Sequence, residues 1–324
     1  MNKHASQETA GRGQTPVVSV VVVNWNTRDL LRACLSSLPS NTGSLRIEAV
    51  VVDNGSSDGS PEMVAAEFPQ AMLIRNSENV GFVRANNQGL EAATGEYRFM
   101  LNSDAEVREG CIERLVEVAE NDRGIGAVGP RLLNSDGTDQ ESFGPFPRVL
   151  HRFFPSRFER AYCGRVERRM QETGNSIAPV DWLAGAALLC RRDVLERVGP
   201  LDERYRMWYD DIDWCRKLQR AGYTRVFVSD AVAMHHGRRS GGKIESQQLA
   251  EQLFDSEYTY LRLNEGRLAT SAVFALRVGK ALVSRLTARS EAARRDAAWR
   301  LGYHRRRFAR FCLASVPPQM RRGV

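Results

Sequence analysis

The sequence lacks any stretch near the ~20 uninterrupted apolar residues that a membrane-crossing helix needs, and its run from Val17 to Val23 stops at Asn24. No spanning segment is expected. The first fifteen residues lack the apolar h-region of a secretory signal and any apolar period, which predicts a disordered leader on a cytosolic chain. Paired cysteines are missing as well. The six, at positions 34, 111, 163, 190, 215 and 312, include no Cys-x-x-Cys and have no histidine at zinc spacing, so reduced core thiols are expected. No composition is extreme: 42% hydrophobic, 26% charged and 8% aromatic disfavour wholesale disorder, collagen and coiled coil. A chain of 324 residues buries a full core without staples.

The net charge of +7 is unevenly held. From Arg262 onward 15 Lys and Arg face three acids, a local +12, which leaves −5 for everything before it. A slightly acidic body with a basic tail suggests that the tail meets an anionic surface.

The strongest pattern is a cycle of short β-branched runs and helical periods. PVVSVVVV (16–23) is followed by NWNTRD and then by Leu30, Leu31, Cys34, Leu35 and Leu38 at helical spacing. IEAVVVD (47–53), the turn-rich NGSSDGSP, a helix over 61–68 and AMLIR (71–75) repeat the cycle. A helix over 82–93, the strand YRFML (97–101), the loop NSDAEV and a helix over 109–121 continue it. Repeated βα units predict an α/β fold with parallel strands buried on both faces. Residues 138–180 hold Pro, Phe and Arg without clear period and read as a long surface excursion. WLAGAALLCRRDVLERVG (182–199) returns to strand and helix, and DDIDWCRKLQRAG (210–222) is an amphipathic helix with a Gly stop. The body is expected to end near Gly242, giving a leader over 1–15, an α/β domain over 16–245 and a basic helical extension over 246–324.

Ligands of such sheets bind beyond the carboxyl ends of the strands, so Asn24, Asp53 and Asn102 to Asp104 should converge on one rim. Asp53 suits hydrogen bonds from a nucleotide's base or ribose, and equally an Asx-turn with the backbone that follows. Asp104 suits a hard divalent cation or the cap of the next helix. In Tyr209-Asp210-Asp211-Ile212-Asp213 three acids open a helix. The helix dipole accounts for one or two of them. Asp210 and Asp213 share a helical face, which leaves Asp211 turned about 100° away and able to point into the rim as a base. His235 and His236 follow VFVSDAVAM. A neutral imidazole there completes a metal site or is merely solvated, and spacing does not choose between the two residues. The literal G-x-G-x-x-G at 124–129, GIGAVG, stands after a helix and before Pro130, not in the first strand-to-helix turn that a dinucleotide site requires.

VVSVVVVNWNTRDLLRACLSSL, VVVDNGSSDGS, NVGFVRANNQGLEAATGEYRFMLNSDAEV, WLAGAALLCRRDVLERVGPLDERY and YDDIDWCRKLQRAGY resemble, in this order, the family 2 glycosyltransferases of the GT-A fold. The resemblance covers roughly residues 16–242, and the best match is the rhamnosyltransferase-like bacterial branch. It implies a Rossmann-like, mixed, mostly parallel sheet with flanking helices. It also implies inverting transfer of a rhamnose-like deoxysugar or hexose from a nucleoside-diphosphate sugar to a glycan or polyprenyl-linked acceptor, in cell-surface polysaccharide synthesis. Trp25 would lie against the base and Asp53 would bind base or ribose, with Asn24, Asn26, Asn79, Gly81, Asn87, Asn102 and Ser103 completing the nucleotide-sugar site. Asp104 resembles the last residue of the Asp-x-Asp metal motif, and His235 the late histidine that joins metal and diphosphate. Mg²⁺ or Mn²⁺ is the implied cofactor. Asp211 resembles the general base of the Glu-Asp motif, and Trp182, Gly185, Trp208, Tyr209 and Asp210 would lie on the acceptor side. Two departures stand out. Asn102-Ser103-Asp104 has one formal charge fewer at the metal, and Asp210 is a shorter acid beside the base.

Two other classes compete. Sugar-nucleotide pyrophosphorylases need a Gly-rich, Arg-containing loop after the first strand, which NWNTRD is not. A nucleic-acid-binding protein would rest on the basic tail alone, with no recognised nucleic-acid fold, so no nucleic acid is expected as partner. In that tail Leu268, Ala272, Ala275, Leu276, Gly279, Leu282, Val283 and Leu286 project onto one arc of a helical wheel. Arg277, Lys280, Arg285 and Arg289 fall outside it, and Phe274 breaks the pattern. The stripe either packs on the body or, with the seven arginines from Arg294 to Arg310, meets an anionic membrane surface. The second reading puts the protein peripherally on the inner face of the plasma membrane. Nothing in the sequence reports an oligomeric state.

Overall fold

The computed structural model describes residues 17–38, 45–149, 155–237 and 246–313. The expected leader over 1–15 and the expected end of the body near Gly242 lie outside them.

The first half of the chain is the anticipated alternation of β1 (Val17–Asn24), α1 (Arg28–Ser37), β2 (Arg46–Asp53), α2 (Ser60–Glu67), β3 (Met72–Arg75), α3 (Phe82–Ala92) and β4 (Tyr97–Asn102). Valines 20–22 of β1 and 50–52 of β2 are wholly buried, as strands covered by helices on both faces must be. β1 pairs in parallel with β2 and β4, and β2 with β3. Gly89 lets α3 lie close on this sheet, because a Cβ there would stand 2.4 Å from the Val21 side chain.

The second half brings β5 (Ala105–Val107), α4 (Cys111–Asn121), β6 (Ile125–Leu133), β7 (Phe143–Gly144), α5 (Pro155–Thr173), β8 (Ile177–Val180) and β9 (Trp182–Leu183). It continues with β10 (Ala187–Arg191), α6 (Arg192–Val198), α7 (Asp210–Arg220) and β11 (Thr224–His235). The main sheet runs β3-β2-β1-β4-β10-β6-β11-β5, with β8 also on β11 and a separate β7-β9 pair. β10 runs antiparallel to both β4 and β6, and the parallel direction resumes between β6 and β11. Helices flank this mixed, mostly parallel sheet. Leu31, Cys34, Ile112 and Leu115 fill one face, and Val83, Leu90, Trp214 and Leu218 fill the other.

Two expectations are corrected here. The excursion over 138–180 contains the 19-residue helix α5, and β8 joins the main sheet. Arginine and glutamate make α5 read as polar, yet Tyr162, Val166 and Met170 recur every four residues and pack on the core. The loop NSDAEV contains β5, which pairs antiparallel with β11 and thereby holds Asp104 beside His235. GIGAVG lies at the start of β6, where a Cβ at Gly126 would meet Tyr223 at 2.6 Å, so that glycine serves packing.

The extension consists of α8 (Ser246–Asn264), α9 (Gly266–Thr287), α10 (Glu291–Phe308) and a π-helical turn, Ala309–Leu313. Tyr258, Leu261, Val273, Phe274, Tyr303 and Phe311 form its apolar centre. α8 is joined to the α/β body: Asn264 Nδ2 donates to Asp213 Oδ1 at 2.8 Å, and Ser256 Oγ donates to the Met207 carbonyl at 2.8 Å. Of the two readings of the α9 stripe, packing on the body is not the one found: the leucines face outward. Thr270, Val273, Phe274 and Ala281 are buried, and Arg277 turns inward to pair with Glu257 beneath the Phe254 ring. Counting apolar residues alone hides this face, since Thr270 and Arg277 belong to it.

Candidate active site

The strand ends carry the site. β1 and β2 finish in register, Asn24 beside Asp53, and Val23 is level with Asn102 of β4. Asn24, buried, donates from Nδ2 to Asp53 Oδ1 and to Ser56 Oγ, both at 3.1 Å, while its Oδ1 accepts from Thr27 Oγ1 at 2.7 Å. Thr27 in turn meets Ser103 Oγ at 2.9 Å, which links the first and third strand ends. Asp53 Oδ2 accepts from the Ser56 N–H at 3.0 Å, the local turn bond weighed above. An ionised carboxylate accepts about four hydrogen bonds, so Asp53 keeps capacity for a ligand's hydroxyl or base N–H.

The loop opposite is built on asparagines. Asn54 Oδ1 accepts from the Val80 N–H, and Asn79 Oδ1 from Asn54 Nδ2 and the Gly81 N–H, each at 3.0 Å. Gly55, at φ +76°, lies so close that a Cβ would stand 2.7 Å from the Glu78 backbone. Trp25 and Asn26 stand half-buried beside this rim, with Asn26 left-handed at φ 55° and its Oδ1 accepting from the Ser57 N–H at 2.7 Å. Asn87 does not face the rim. Its amide exchanges hydrogen bonds with the Leu201 backbone, at 2.9 and 3.1 Å, and so ties α3 to the segment ahead of α7.

His235 and His236 part company in the structure. His236 turns to Glu106 and Ser135, at 2.7 Å each, while His235 Nε2 stands 3.2 Å from Asp104 Oδ1 and from Asn102 Nδ2. Gln140 orients the His235 ring. Its amide nitrogen is engaged by Asn134 Oδ1 and the His235 carbonyl, so its Oε1, 2.6 Å from Nδ1, accepts the imidazole N–H. Nε2 then faces both the Asp104 carboxylate and the Asn102 amide nitrogen. Asp104 and His235 together offer one oxygen and one nitrogen donor of the kind a divalent cation takes. Donors on adjacent corners of an octahedron with bonds of ~2.1 Å stand about 3 Å apart, close to the separation found here. Among the described residues no third carboxylate, thiol or imidazole completes the cluster.

The acid pair lies on the neighbouring wall. Trp208 and Tyr209 both adopt left-handed backbone, φ 61° and 65°, before α7 begins at Asp210. Such strain persists where surroundings impose it; here the Tyr209 ring packs on Tyr260 of α8 at 5.5 Å between centroids. Asp210 and Asp213 point into the core, and Asp211, one step round the helix, is half-buried. Asp211 Oδ2 accepts from the Gly185 N–H and Oδ1 from the Ile212 N–H, both at 2.8 Å. A Cβ at residue 185 would stand 3.1 Å from Asp211 Cβ, so glycine there permits the approach. Burial pushes the Asp211 carboxyl above the usual range, against the pull of these N–H donors. Burial, then the Asp211 charge, push Asp210 up further. The two carboxyls therefore titrate as a pair above the usual range, and the Gly185 and Ile212 N–H donors favour the charged form of Asp211. A small pocket lined by Phe82, Asn86, Met100, Gly185 and Asp211 connects this wall to α3. Trp182 stands nearby in β9, donating from its indole N–H to the Pro145 carbonyl at 2.9 Å.

Gln140, Ser56, Asn54 and Asn264 were not singled out from the sequence. Ser56 and Asn54 lie in the turn-rich loop after β2, and an acid-ended strand before such a loop is the signal that would find them. Gln140 reaches the site, and Asn264 the Asp213 carboxylate at the base of α7, from stretches that carry no local sign of either.

The profile described as Glycosyl transferase family 2 matches residues 19–183. The N-acetylglucosaminyl-diphospho-decaprenol L-rhamnosyltransferase of Mycobacterium tuberculosis is 30% identical over 301 residues, covering 86% of this chain and 95% of that one. Among solved structures, a mannosyltransferase from Pyrobaculum calidifontis in complex with GDP-Man and Mn²⁺ matches with a TM-score of 0.54 and 20% identity, over 91% of this chain and 87% of that one. GalNAc-T7 with UDP, GalNAc and Mn²⁺ matches at 0.57 and 18% identity, over 79% of this chain, which spans about half (52%) of that structure. At such identities the two structures speak for the fold alone, and that fold is GT-A.

Proposed function

From the premise that this chain belongs to glycosyl transferase family 2, we propose that it moves a 6-deoxyhexose or hexose from a nucleoside-diphosphate sugar to a hydroxyl of a polyprenyl-linked glycan acceptor, with inversion. The observation that carries this reading is the half-buried, N–H-held Asp211 on the wall beside strand ends bearing Asp53 and Asp104. The choice of sugar and acceptor class rests on the mycobacterial relative, whose name states both. A cytosolic setting follows from the donor, since sugar nucleotides are made there.

Asp53 and Asn24 would receive the nucleoside, with Trp25 at the base and the Asn79–Gly81 loop closing over it. Asp104 and His235 would hold a divalent cation, Mg²⁺ or Mn²⁺, whose charge, when bound, stabilises the leaving diphosphate as a Lewis acid. Asp211 would accept the proton of the incoming hydroxyl as its oxygen bonds to the anomeric carbon and the carbon–oxygen bond to the diphosphate breaks. Attack from the face opposite the leaving group inverts the centre. Burial and the Asp211 charge both favour the protonated form of Asp210, which would limit the charge beside the base.

A panel of nucleotide sugars, assayed with Mn²⁺ or Mg²⁺ for released nucleoside diphosphate and for sugar on a polyprenyl-diphosphate-linked acceptor, tests the reading. Transfer with inverted anomeric configuration is expected; turnover of no donor in the panel would refute it. The role given to Gln140 has its own measurement. Gln140→Leu should weaken Mn²⁺ binding, followed by calorimetry, about 10- to 100-fold, as loss of a partner behind a ligating histidine does. Gln140→Glu keeps the acceptor for Nδ1–H and should retain most of the affinity.

A further inference from the structure

The outward face of α9 is apolar and uncovered. Leu268 is 89% exposed, Leu286 84%, Val283 60% and Leu282 47%. Leu268 and Leu286 are separated by about five helical turns and so lie on one line, with Leu282 and Val283 to either side of it. Ala272, Ala275 and Gly279, all exposed, continue the stripe between them. The helix is not free to roll these side chains inward. Its opposite face is occupied by Val273 and Phe274 in the apolar centre of the extension, and by Arg277 against Glu257 and the Phe254 and Tyr258 rings.

The stripe has cations along both borders. Lys280 flanks it on one side and Arg267, Arg285 and Arg289 on the other, all exposed, and α9 contains no acid. Residues 246–324 together hold 15 Lys and Arg against six Asp and Glu. By contrast, much of the basic cluster on α10 and beyond is already paired: Arg295 with Glu291, Arg300 with Asp296, Arg306 with Glu251, and Arg307 and Arg310 with Asp255. Arg294 and Arg305 stay outside these pairs on α10, while the cations that border the α9 leucines all do. A second copy of this face would set cation against cation, and a nucleic acid has no use for a leucine row. Leucines bordered by lysine and arginine match an interface with an apolar depth and anionic headgroups above it.

We propose that α9 docks this face on an anionic lipid bilayer, with Leu268, Leu282, Val283 and Leu286 entering the acyl boundary. Because α8 is tied to Met207 and Asp213 beside the acid pair, docking α9 also sets the height of the site above the bilayer. Charge and exposure carry this docking independently of the proposed transfer reaction.

The test is flotation of the full-length protein with vesicles of phosphatidylcholine alone or with about 30% phosphatidylglycerol, without donor or acceptor. Binding to the anionic vesicles only, weakening as salt shortens the screening length, is the expected result. Leu268→Ser, Val283→Ser and Leu286→Ser combined should lower the bound fraction at least tenfold with thermal unfolding unchanged, and Lys280→Glu with Arg285→Glu should do so most at low salt. Equal binding to neutral vesicles, full binding by the serine variant, or a dimer in light scattering that the serine variant dissociates would each overturn the proposal.

Discussion

Asp211→Asn should lower sugar transfer at least a hundredfold while donor affinity stays within a few-fold of the parent. A positioned general base contributes about 10² to 10⁴ to rate. An amide cannot take a proton from the acceptor hydroxyl, whereas the proposed nucleotide contacts lie at the ends of β1 and β2, away from this side chain. The asparagine retains one acceptor oxygen for the Gly185 or Ile212 N–H, so the wall should keep its shape. Equilibrium titration with donor, alongside turnover at saturating acceptor, separates the two effects. Residual turnover above about a hundredth would remove Asp211 from the role.

The neighbouring acid supplies the control. Asp210→Asn imitates the protonated state that burial and the Asp211 charge impose, so it should keep the larger part of activity at neutral pH. The pH profile carries the sign. Burial raises the Asp211 carboxyl, so the base is lost on acidification at a pH above the ~3.9 of an ordinary aspartate. The acidic limb of kcat/KM should stand above that value, and it belongs to the pair and not to either residue alone.

Why Asp211 was legible in the sequence and Gln140 was not is a matter of range. The β-branched runs of β1, β2 and β4 announce buried strands, and the polar residue ending each strand then lands on the rim by topology alone. Asp210, Asp211 and Asp213 are resolved by the 100° step of one helix, which needs no tertiary information. The antiparallel direction of β10 depends on which strands it is threaded between, and its own five residues, all buried, read the same either way. The amphipathic stripe on α9 was visible, but its direction was not: Phe274 and Arg277 find partners on α8, and those partners decide which side turns inward. Asn87 shows the same limit from the other side. A polar residue near the rim in sequence is used to anchor the Leu201 backbone.

Asp104→Ala should weaken donor binding strongly with Mn²⁺ present and hardly at all in EDTA. Asp104 is buried at the strand end, its backbone carbonyl accepts from the His236 N–H at 2.8 Å, and alanine leaves that bond in place. What the substitution removes is the carboxylate 3.2 Å from His235 Nε2. Asn102, where the family pattern has a second acid, supplies no charge in compensation, so the cation would be left with the His235 imidazole as its ligand from this pair. Affinity for the diphosphate that a cation would bridge should then fall to near the level measured in EDTA for the parent. The nucleoside contacts proposed for Asp53 and Asn24 would be untouched, so a nucleoside without phosphates should bind both proteins alike. Equal loss of donor affinity with and without metal would make Asp104 a structural residue at the β4–β5 turn, where its carboxylate holds the His235 ring in place.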